Sequence, residues 1–198
     1  MRRPNRRRQV SSRISLYRDF YIYVSGSYEK VYIQALHELL REKLHINLHC
    51  SEYGGGGDFR SGIDLLKSDL RRKLKKSVTK NLEKSDKILI QGDMDVDYAM
   101  KHAANFEQEL RNVDERCMLI PSIKNFESWL KAHFVDISNQ KEVISKQDID
   151  DYIPQYSENT SHAKQYFDRQ LRWEMVQRAM DEHHGNQSFR KFMTVFLG

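Results

Sequence analysis

The stretch KILIQGDMDVDY, residues 87–98, combines a structural pattern with a chemical one. Its apolar run ILI at 88–90 is short and is followed by turn-forming residues, which is typical of a buried β-strand. Three acids then occupy alternate positions, Asp93, Asp95 and Asp97. Carboxylates crowded at a strand end repel one another, and a divalent cation with oxygen ligands commonly offsets that repulsion. The alternative is a solvated acidic turn in which Asp97 caps the next helix.

The pattern around this strand predicts an α/β fold. Strands are predicted at 20–24, 46–50, 88–90 and 117–120, and helices at 28–43, 63–82 and 98–113. This alternation favours a mainly parallel, Rossmann-like sheet of about four strands covered by helices on both faces. Ligands of such sheets bind beyond the carboxyl ends of the strands. Residues 25–29, 93–97 and 121–127 are therefore expected to meet at one edge.

The last third of the chain is predicted to be mainly helical. The predicted elements are a short helix at 125–134, a loop at 135–147, a helical turn at 148–152, a long helix at 161–183, and a terminal helix at 189–197 capped by Ser188. We divide the chain into a disordered basic tail (1–12), an α/β core (13–135) and a helical extension packed on that core (136–198).

The formal net charge of +5 belongs to the tail. Five of the 33 basic residues lie in the first eight positions, and the remaining 28 balance the 28 acidic residues. A block of like charge is usually unstructured. We expect the tail either to contact phosphates or to stay solvated.

The two cysteines, Cys50 and Cys117, lie in apolar runs, which favours reduced core thiols and a cytoplasmic protein over a disulfide framework. No apolar segment follows the first arginines, so a secretory signal is not predicted. No run is long enough to span a membrane.

The predicted helix at 63–82 has apolar residues at every fourth position and a basic opposite side. That side includes Arg71, Arg72, Lys75 and Lys76. A basic helix face is either solvated or a binding surface for nucleic acid, and these four residues are our candidates for nucleic-acid binding.

Several known motifs do not fit the acids. A calcium loop that started at Asp93 would need a glycine at position 98 and a glutamate at position 104, but these positions hold Tyr98 and Ala104. A haloacid-dehalogenase-like phosphatase would use a late acidic pair such as Asp150 and Asp151, but no apolar strand precedes that pair. The glycine run at 54–57 matches no nucleotide-binding motif.

A metal-assisted phosphoryl-transfer site remains. Such a site needs carboxylates from several strand ends, and Glu29, Asp93, Asp95 and Glu127 are placed to supply them, with Asp97 in reserve. Lys131 lies one helical turn after Glu127. Its side chain either stabilises transition-state charge or is an ordinary surface lysine.

Five segments carry a family resemblance. They are RRPNRRR at 2–8, YIYVSGSYEKVYIQAL at 21–36, DMD at 93–95 with the acids Asp93 and Asp95, NFESWLKAHF at 125–134, and GNQSFRKFMTVFL at 185–197. Together they resemble the RloB-like family, a Toprim-fold group linked to bacterial restriction and phage-defence loci. The NFESW block is the most specific of these segments.

The resemblance implies a cytoplasmic Mg²⁺- or Mn²⁺-dependent Toprim-type nuclease in antiphage defence of the abortive-infection kind. Asp93 and Asp95 would bind metal, Glu127 would support a second metal, Asp97 would be a spare ligand, and Glu29 and Lys131 would act in catalysis. The implied partners are nucleic acid, either DNA or a tRNA-like RNA, an ATPase encoded alongside, and possibly a second copy of the chain.

One departure from the family pattern concerns the first strand. Where the family carries a glutamate directly after that strand, this chain has Ser25, Gly26 and Ser27, and its nearest acid is Glu29. Either Glu29 substitutes after a shortened turn, or the chain is an inactive Toprim-like subunit that binds nucleic acid or a partner protein. The asparagine and proline that precede the family's FE pair are also altered.

Overall fold

The computed structural model describes residues 17–54, 59–72, 76–94, 96–140 and 142–198. Within these ranges the chain forms four strands and nine helices. The strands are β1 (Arg18–Val24), β2 (Ile46–Glu52), β3 (Lys87–Met94) and β4 (Cys117–Ile123). The helices are α1 (Ser27–Leu44), α2 (Phe59–Arg72), α3 (Lys76–Lys84), α4 (Val96–Val113), α5 (Phe126–Lys131), α6 (Lys146–Asp150), α7 (Thr160–Gln170), α8 (Trp173–Ala179) and α9 (Gln187–Leu197).

The strands form one parallel sheet in the order β2-β1-β3-β4. Each parallel connection contains at least one helix, as a parallel crossover requires. The predicted α/β, Rossmann-like class is therefore confirmed. Because the strands run in the same direction, the segments that follow β1, β3 and β4 lie at one edge of the sheet.

Each face of the sheet packs against its own set of helices. Side chains alternate along β1, so that Phe20 and Ile22 lie on one face while Tyr21 and Tyr23 lie on the other. The first face is covered by α1 and by the helices from α5 onwards. The second face is covered by α2, α3 and α4. Burial on both faces explains why the strands read as continuous apolar runs.

One predicted long helix is divided. The predicted helix at 161–183 is α7 and α8, whereas the predicted helix at 63–82 corresponds to α2 and α3, with residues 73–75 outside the described ranges. Between α7 and α8 the backbone of Leu171 and Arg172 is extended. Residues five apart on an unbroken helix point about 140° from each other. The extended turn allows Leu171 and Val176 both to be buried.

Three predicted boundaries are also wrong. Pro121 does not end β4, because β4 is an edge strand and a missing N–H at an edge need not break the ladder. Asp97 is not a helix cap, since α4 begins one residue before it. Asn186 rather than Ser188 caps α9, and its side chain accepts a hydrogen bond from the Phe189 N–H at 2.9 Å.

The candidate nucleic-acid face on α2 and α3 remains a prediction. Arg71 is exposed near the end of α2. Arg72 and Lys76 lie within helices whose side chains are not described at those positions, and Lys75 lies outside the described residues. None of the helices in the described ranges is long and apolar enough to cross a bilayer.

Both cysteines are free, as the sequence predicts. Burial raises the pKa of the Cys50 thiol and of the Cys117 thiol to about 12. At neutral pH both are therefore protonated, and neither supplies a thiolate.

A buried chain of hydrogen bonds joins α5 to the start of α9. The Trp129 indole N–H donates to Ser188 Oγ at 2.6 Å, and the Ser188 hydroxyl donates to Asn186 Oδ1 at 2.8 Å. The Asn186 amide donates in turn to Ser128 Oγ at 3.2 Å. All four residues are buried. We call them the α5–α9 clamp, because they fix the short helix α5 against the C-terminal helices.

We expect Ser188→Ala to destabilise the protein by about 1–3 kcal/mol, because the buried Trp129 indole N–H loses its acceptor. Urea unfolding followed by far-UV circular dichroism measures the change. Thr194→Ala is the matched control on α9, since the exposed Thr194 hydroxyl bonds only within its own helix. Equal stability of the two variants would contradict a structural role for the α5–α9 clamp.

Candidate active site

Three carboxyl groups lie at the carboxyl edge of the sheet. Asp93 lies near the end of β3, opposite Ser122 of β4. Glu29 lies in the first turn of α1, which follows β1, and Glu127 lies in the first turn of α5, which follows β4. Glu29 and Glu127 are each only 8% exposed, which is unusual for charged residues. We refer to Glu29, Asp93 and Glu127 as the carboxylate cluster.

The side chain of Glu29 folds back towards the end of β1. The Ser25 hydroxyl donates a 2.7 Å hydrogen bond to Glu29 Oε1. Glu29 Oε2 lies only 2.9 Å from the position that a Cβ atom would take on Gly26. A side chain at residue 26 would therefore collide with this carboxylate. The turn of Ser25 and Gly26 thus places an acid from α1 beside the end of the first strand.

Asp93 is the most perturbed member of the carboxylate cluster. Its Oδ1 atom is buried and accepts no hydrogen bond from the described residues. Burial raises the pKa of Asp93 from 3.8 to about 7, and the negative charges of Glu29 and Glu127 add to the increase. A buried carboxylate oxygen without a donor, beside two other acids, is costly to the fold. The arrangement suits a cation or a proton.

Glu127 is held by the architecture of α5. The Asn125 side chain caps this helix by accepting from the Ser128 N–H at 3.2 Å. The Tyr156 hydroxyl donates to Glu127 Oε1 at 3.4 Å. Burial, together with the charge of Glu29, raises the pKa of Glu127, while the charge of Lys146 opposes the increase. The charge of Glu29 therefore acts on both Asp93 and Glu127.

The structure adds residues that the sequence reasoning missed. Tyr156 lies between α6 and α7, where the sequence predicts no helix or strand, yet its ring is buried and its hydroxyl donates to Glu127. Tyr28 donates from its hydroxyl to the Tyr156 carbonyl at 2.9 Å. The Lys146 ammonium lies 3.8 Å from the centroid of the Tyr28 ring. Only the three-dimensional path of the C-terminal region brings Lys146 and Tyr156 to this edge.

The other predicted site residues have different placements. Asp95 lies outside the described residues, and the side chain of Asp97 in α4 is not described. Lys131 is the last residue of α5 and is partly exposed. Its charge helps to lower the pKa of Asp148, although hydrogen bonds from Ser145 lower that pKa more. No described contact joins Lys131 to the carboxylate cluster.

The donor set fits a hard divalent cation. It consists of carboxylate oxygens, which Mg²⁺ and Mn²⁺ prefer, and the unpartnered Oδ1 of Asp93 is available as a ligand. Within the described ranges, no three His, Cys, Asp or Glu side chains are close enough together to hold one ion. A cation at this site would therefore take fewer than three ligands from the described residues, together with water.

Comparison with known proteins gives one match. The family model described as RloB-like protein matches residues 20–192, which run from within β1 to the middle of α9. A search of the curated proteins and a search of the solved structures each found no significant match. The match includes Glu29, Asp93 and Glu127. It covers well over half of the sequence, and the chain therefore belongs to the RloB-like family.

Proposed function

We propose that this protein is a Mg²⁺- or Mn²⁺-dependent nuclease of the Toprim type that hydrolyses phosphodiester bonds in DNA or RNA. The observation that carries the proposal is the carboxylate cluster, in which three elements of a Rossmann-like fold bring Glu29, Asp93 and Glu127 to one edge of the sheet. The unpartnered oxygen and raised pKa of Asp93 support a cation at this point.

Each residue has a distinct task in this proposal. Asp93 and Glu127 would hold a metal, with Asp95 as a further ligand, and a bound cation would polarise the phosphate and activate water. Glu29 is the proposed general base, and the Ser25 hydroxyl orients its carboxylate. The Tyr156 hydroxyl orients Glu127. Asp97 remains a reserve ligand in the proposal, and Lys131 a candidate cation.

The biological setting of the proposal comes from the family. We also propose an ATPase partner that restrains or triggers the nuclease, a role in antiphage defence and a cytoplasmic location, which are what the resemblance to the RloB-like family implies. The basic residues of α2 and α3 are proposed to contribute to nucleic-acid binding.

The second candidate function is a non-catalytic Toprim-like subunit that binds nucleic acid or a partner. The observation in its favour is Ser25, which stands where the family carries a glutamate. The observation against it is the position of Glu29, whose carboxylate lies against Gly26 at the end of β1. The carboxylate of Glu29 thus lies near residue 25, the position at which the family carries a glutamate.

Metal binding separates the two candidates. We expect Mn²⁺ to raise the unfolding temperature of the wild-type protein, because a ligand that binds only the folded state stabilises it. Asp93→Asn and Glu127→Gln should each abolish most of this shift, whereas Glu42→Gln, an exposed position on α1, should keep it. Differential scanning fluorimetry with MnCl₂ and with EDTA measures the effect. A wild-type shift that both site variants retain would rule out this site.

The raised pKa of Asp93 predicts a pH-dependent stability in EDTA. Because the folded chain holds this proton more tightly than the unfolded chain, the contribution of Asp93 increases as the pH falls from about 7 towards 3.8 and is lost as the pH rises through about 7. Asp93→Asn lacks this contribution. When the pH is lowered from 8 to 4.5, the unfolding free energy of Asp93→Asn should therefore fall by about 2–4 kcal/mol relative to that of wild type.

Urea unfolding at several pH values measures this difference. Asp64→Asn, an exposed position on α2, is the control and should follow the wild-type curve. At pH 8 without metal, Asp93→Asn should be more stable than wild type, because it removes a charge that the carboxylate cluster repels. Parallel pH profiles for wild type and Asp93→Asn would show that Asp93 titrates normally.

Cleavage tests the assignment of Glu29. In MnCl₂ we expect Glu29→Gln and Asp93→Asn each to slow hydrolysis of a susceptible oligonucleotide on the order of 100-fold or more, because the first removes the proposed base and the second a proposed metal ligand. Glu42→Gln should cleave like wild type. Full activity of Glu29→Gln would disprove its role as the base.

A further inference from the structure

The carboxylate cluster alone repels a nucleic acid. Its three carboxyl groups and the phosphates of a substrate have the same sign of charge, so a substrate phosphate needs a cationic side chain nearby as well as a metal. The first helical residue of α6, Lys146, lies close enough to Glu127 for its charge to lower the pKa of that carboxyl.

The position of Lys146 is fixed from two sides. The capping box of α6 sets the start of the helix, in which Ser145 and Asp148 exchange hydrogen bonds. The Lys146 ammonium lies 3.8 Å from the Tyr28 ring centroid, in a cation–π contact. The Tyr28 ring is itself held, since it lies 4.6 Å from the Tyr156 ring, centroid to centroid, and its hydroxyl is bonded.

The ammonium group of Lys146 also remains available. Some lysines in the described part of the chain are in ion pairs, such as Lys67 with Glu109 at 2.6 Å and Lys164 with Asp168 at 2.5 Å. Lys146 is exposed and has no ion-pair partner among the described residues. A cation–π contact leaves the N–H groups of an ammonium free to donate to an incoming oxygen.

The nearby acids of α6 are already engaged. Asp148 accepts from the Ser145 N–H and hydroxyl, each at 2.8 Å. Asp150 accepts from the Ser157 N–H at 2.8 Å and from its hydroxyl. Neither acid is paired with Lys146. Lys146 therefore forms no ion pair with these acids of α6, and its charge is available at the rim of the carboxylate cluster.

We propose that Lys146, seated on the ring of Tyr28, binds a backbone phosphate of the nucleic-acid substrate at the rim of the carboxylate cluster. This inference rests on the proposed nuclease function and names a binding residue for it. The C-terminal region thus supplies a substrate-binding cation, separate from Lys131, which stays a candidate to stabilise transition-state charge.

The salt dependence of binding tests the proposal. The binding of a fluorescent single-stranded RNA, a single-stranded DNA and a duplex DNA is measured against NaCl concentration in EDTA. Loss of one phosphate contact should reduce the slope of log Kd against log salt by about 0.7 for a single strand or about 0.9 for a duplex. Lys146→Ala should show this reduction and bind about fivefold more weakly at low salt.

Matched variants separate the contact from general effects. Lys164→Ala removes a surface lysine that is paired with Asp168, and it should keep the wild-type slope. Tyr28→Phe keeps the ring and should keep the wild-type slope. Tyr28→Leu removes the ring, and its slope should be smaller than that of wild type. Thermal unfolding of each variant checks that it is folded.

Two outcomes overturn the proposal in distinguishable ways. If wild type cleaves an oligonucleotide in MnCl₂ but Lys146→Ala has the wild-type slope on that oligonucleotide, Lys146 is not the phosphate contact and the nuclease function stands. If folded wild-type protein neither binds nor cleaves any of the three probes, the nuclease function fails and the role of Lys146 fails with it.

Discussion

The repulsion between buried acids at the carboxyl edge of the sheet is the constraint that the rest of the structure accommodates. Glu29, Asp93 and Glu127 come from α1, β3 and α5, and burial together with their mutual charge makes Asp93 hold its proton up to about pH 7. A fold selected for stability alone would replace one of them with an apolar residue. Their retention in a well-packed core is a sign of function, because strained or costly groups concentrate at active sites.

The C-terminal region is part of this site and not an appendage to it. Tyr156 meets Glu127 directly, and the α5–α9 clamp holds the helix that carries Glu127. Tyr32 and His133 add a second buried link between α1 and the segment after α5, with 2.8 Å between the tyrosine hydroxyl and the imidazole. Burial lowers the pKa of His133 to about 4, so this ring is neutral and structural at physiological pH.

Sequence reasoning succeeded where the physical signal was local. Continuous apolar runs indicated strands buried on both faces, and their alternation with helices indicated the parallel sheet. It failed at Leu171, where the chain turns between α7 and α8. Leu171 and Val176 are both buried there, although an unbroken helix would point them in different directions. It also missed Tyr156 and Lys146, because neither lies in a periodic pattern and both reach the site only through the packing of α6 and α7. The position of such residues in the folded protein cannot be predicted from the pattern of a single sequence.

The α5–α9 clamp has a consequence for how the molecule is made. A ribosome releases the chain from the amino terminus onwards, so the acids at 29, 93 and 127 emerge before Tyr156, and Ser188 emerges later still. Until Ser188 reaches Trp129, the helix that carries Glu127 lacks its buried polar anchor. Assembly of the site is therefore tied to a late step of synthesis. A partly made chain that has not reached residue 188 therefore has no Ser188 acceptor for the Trp129 indole N–H.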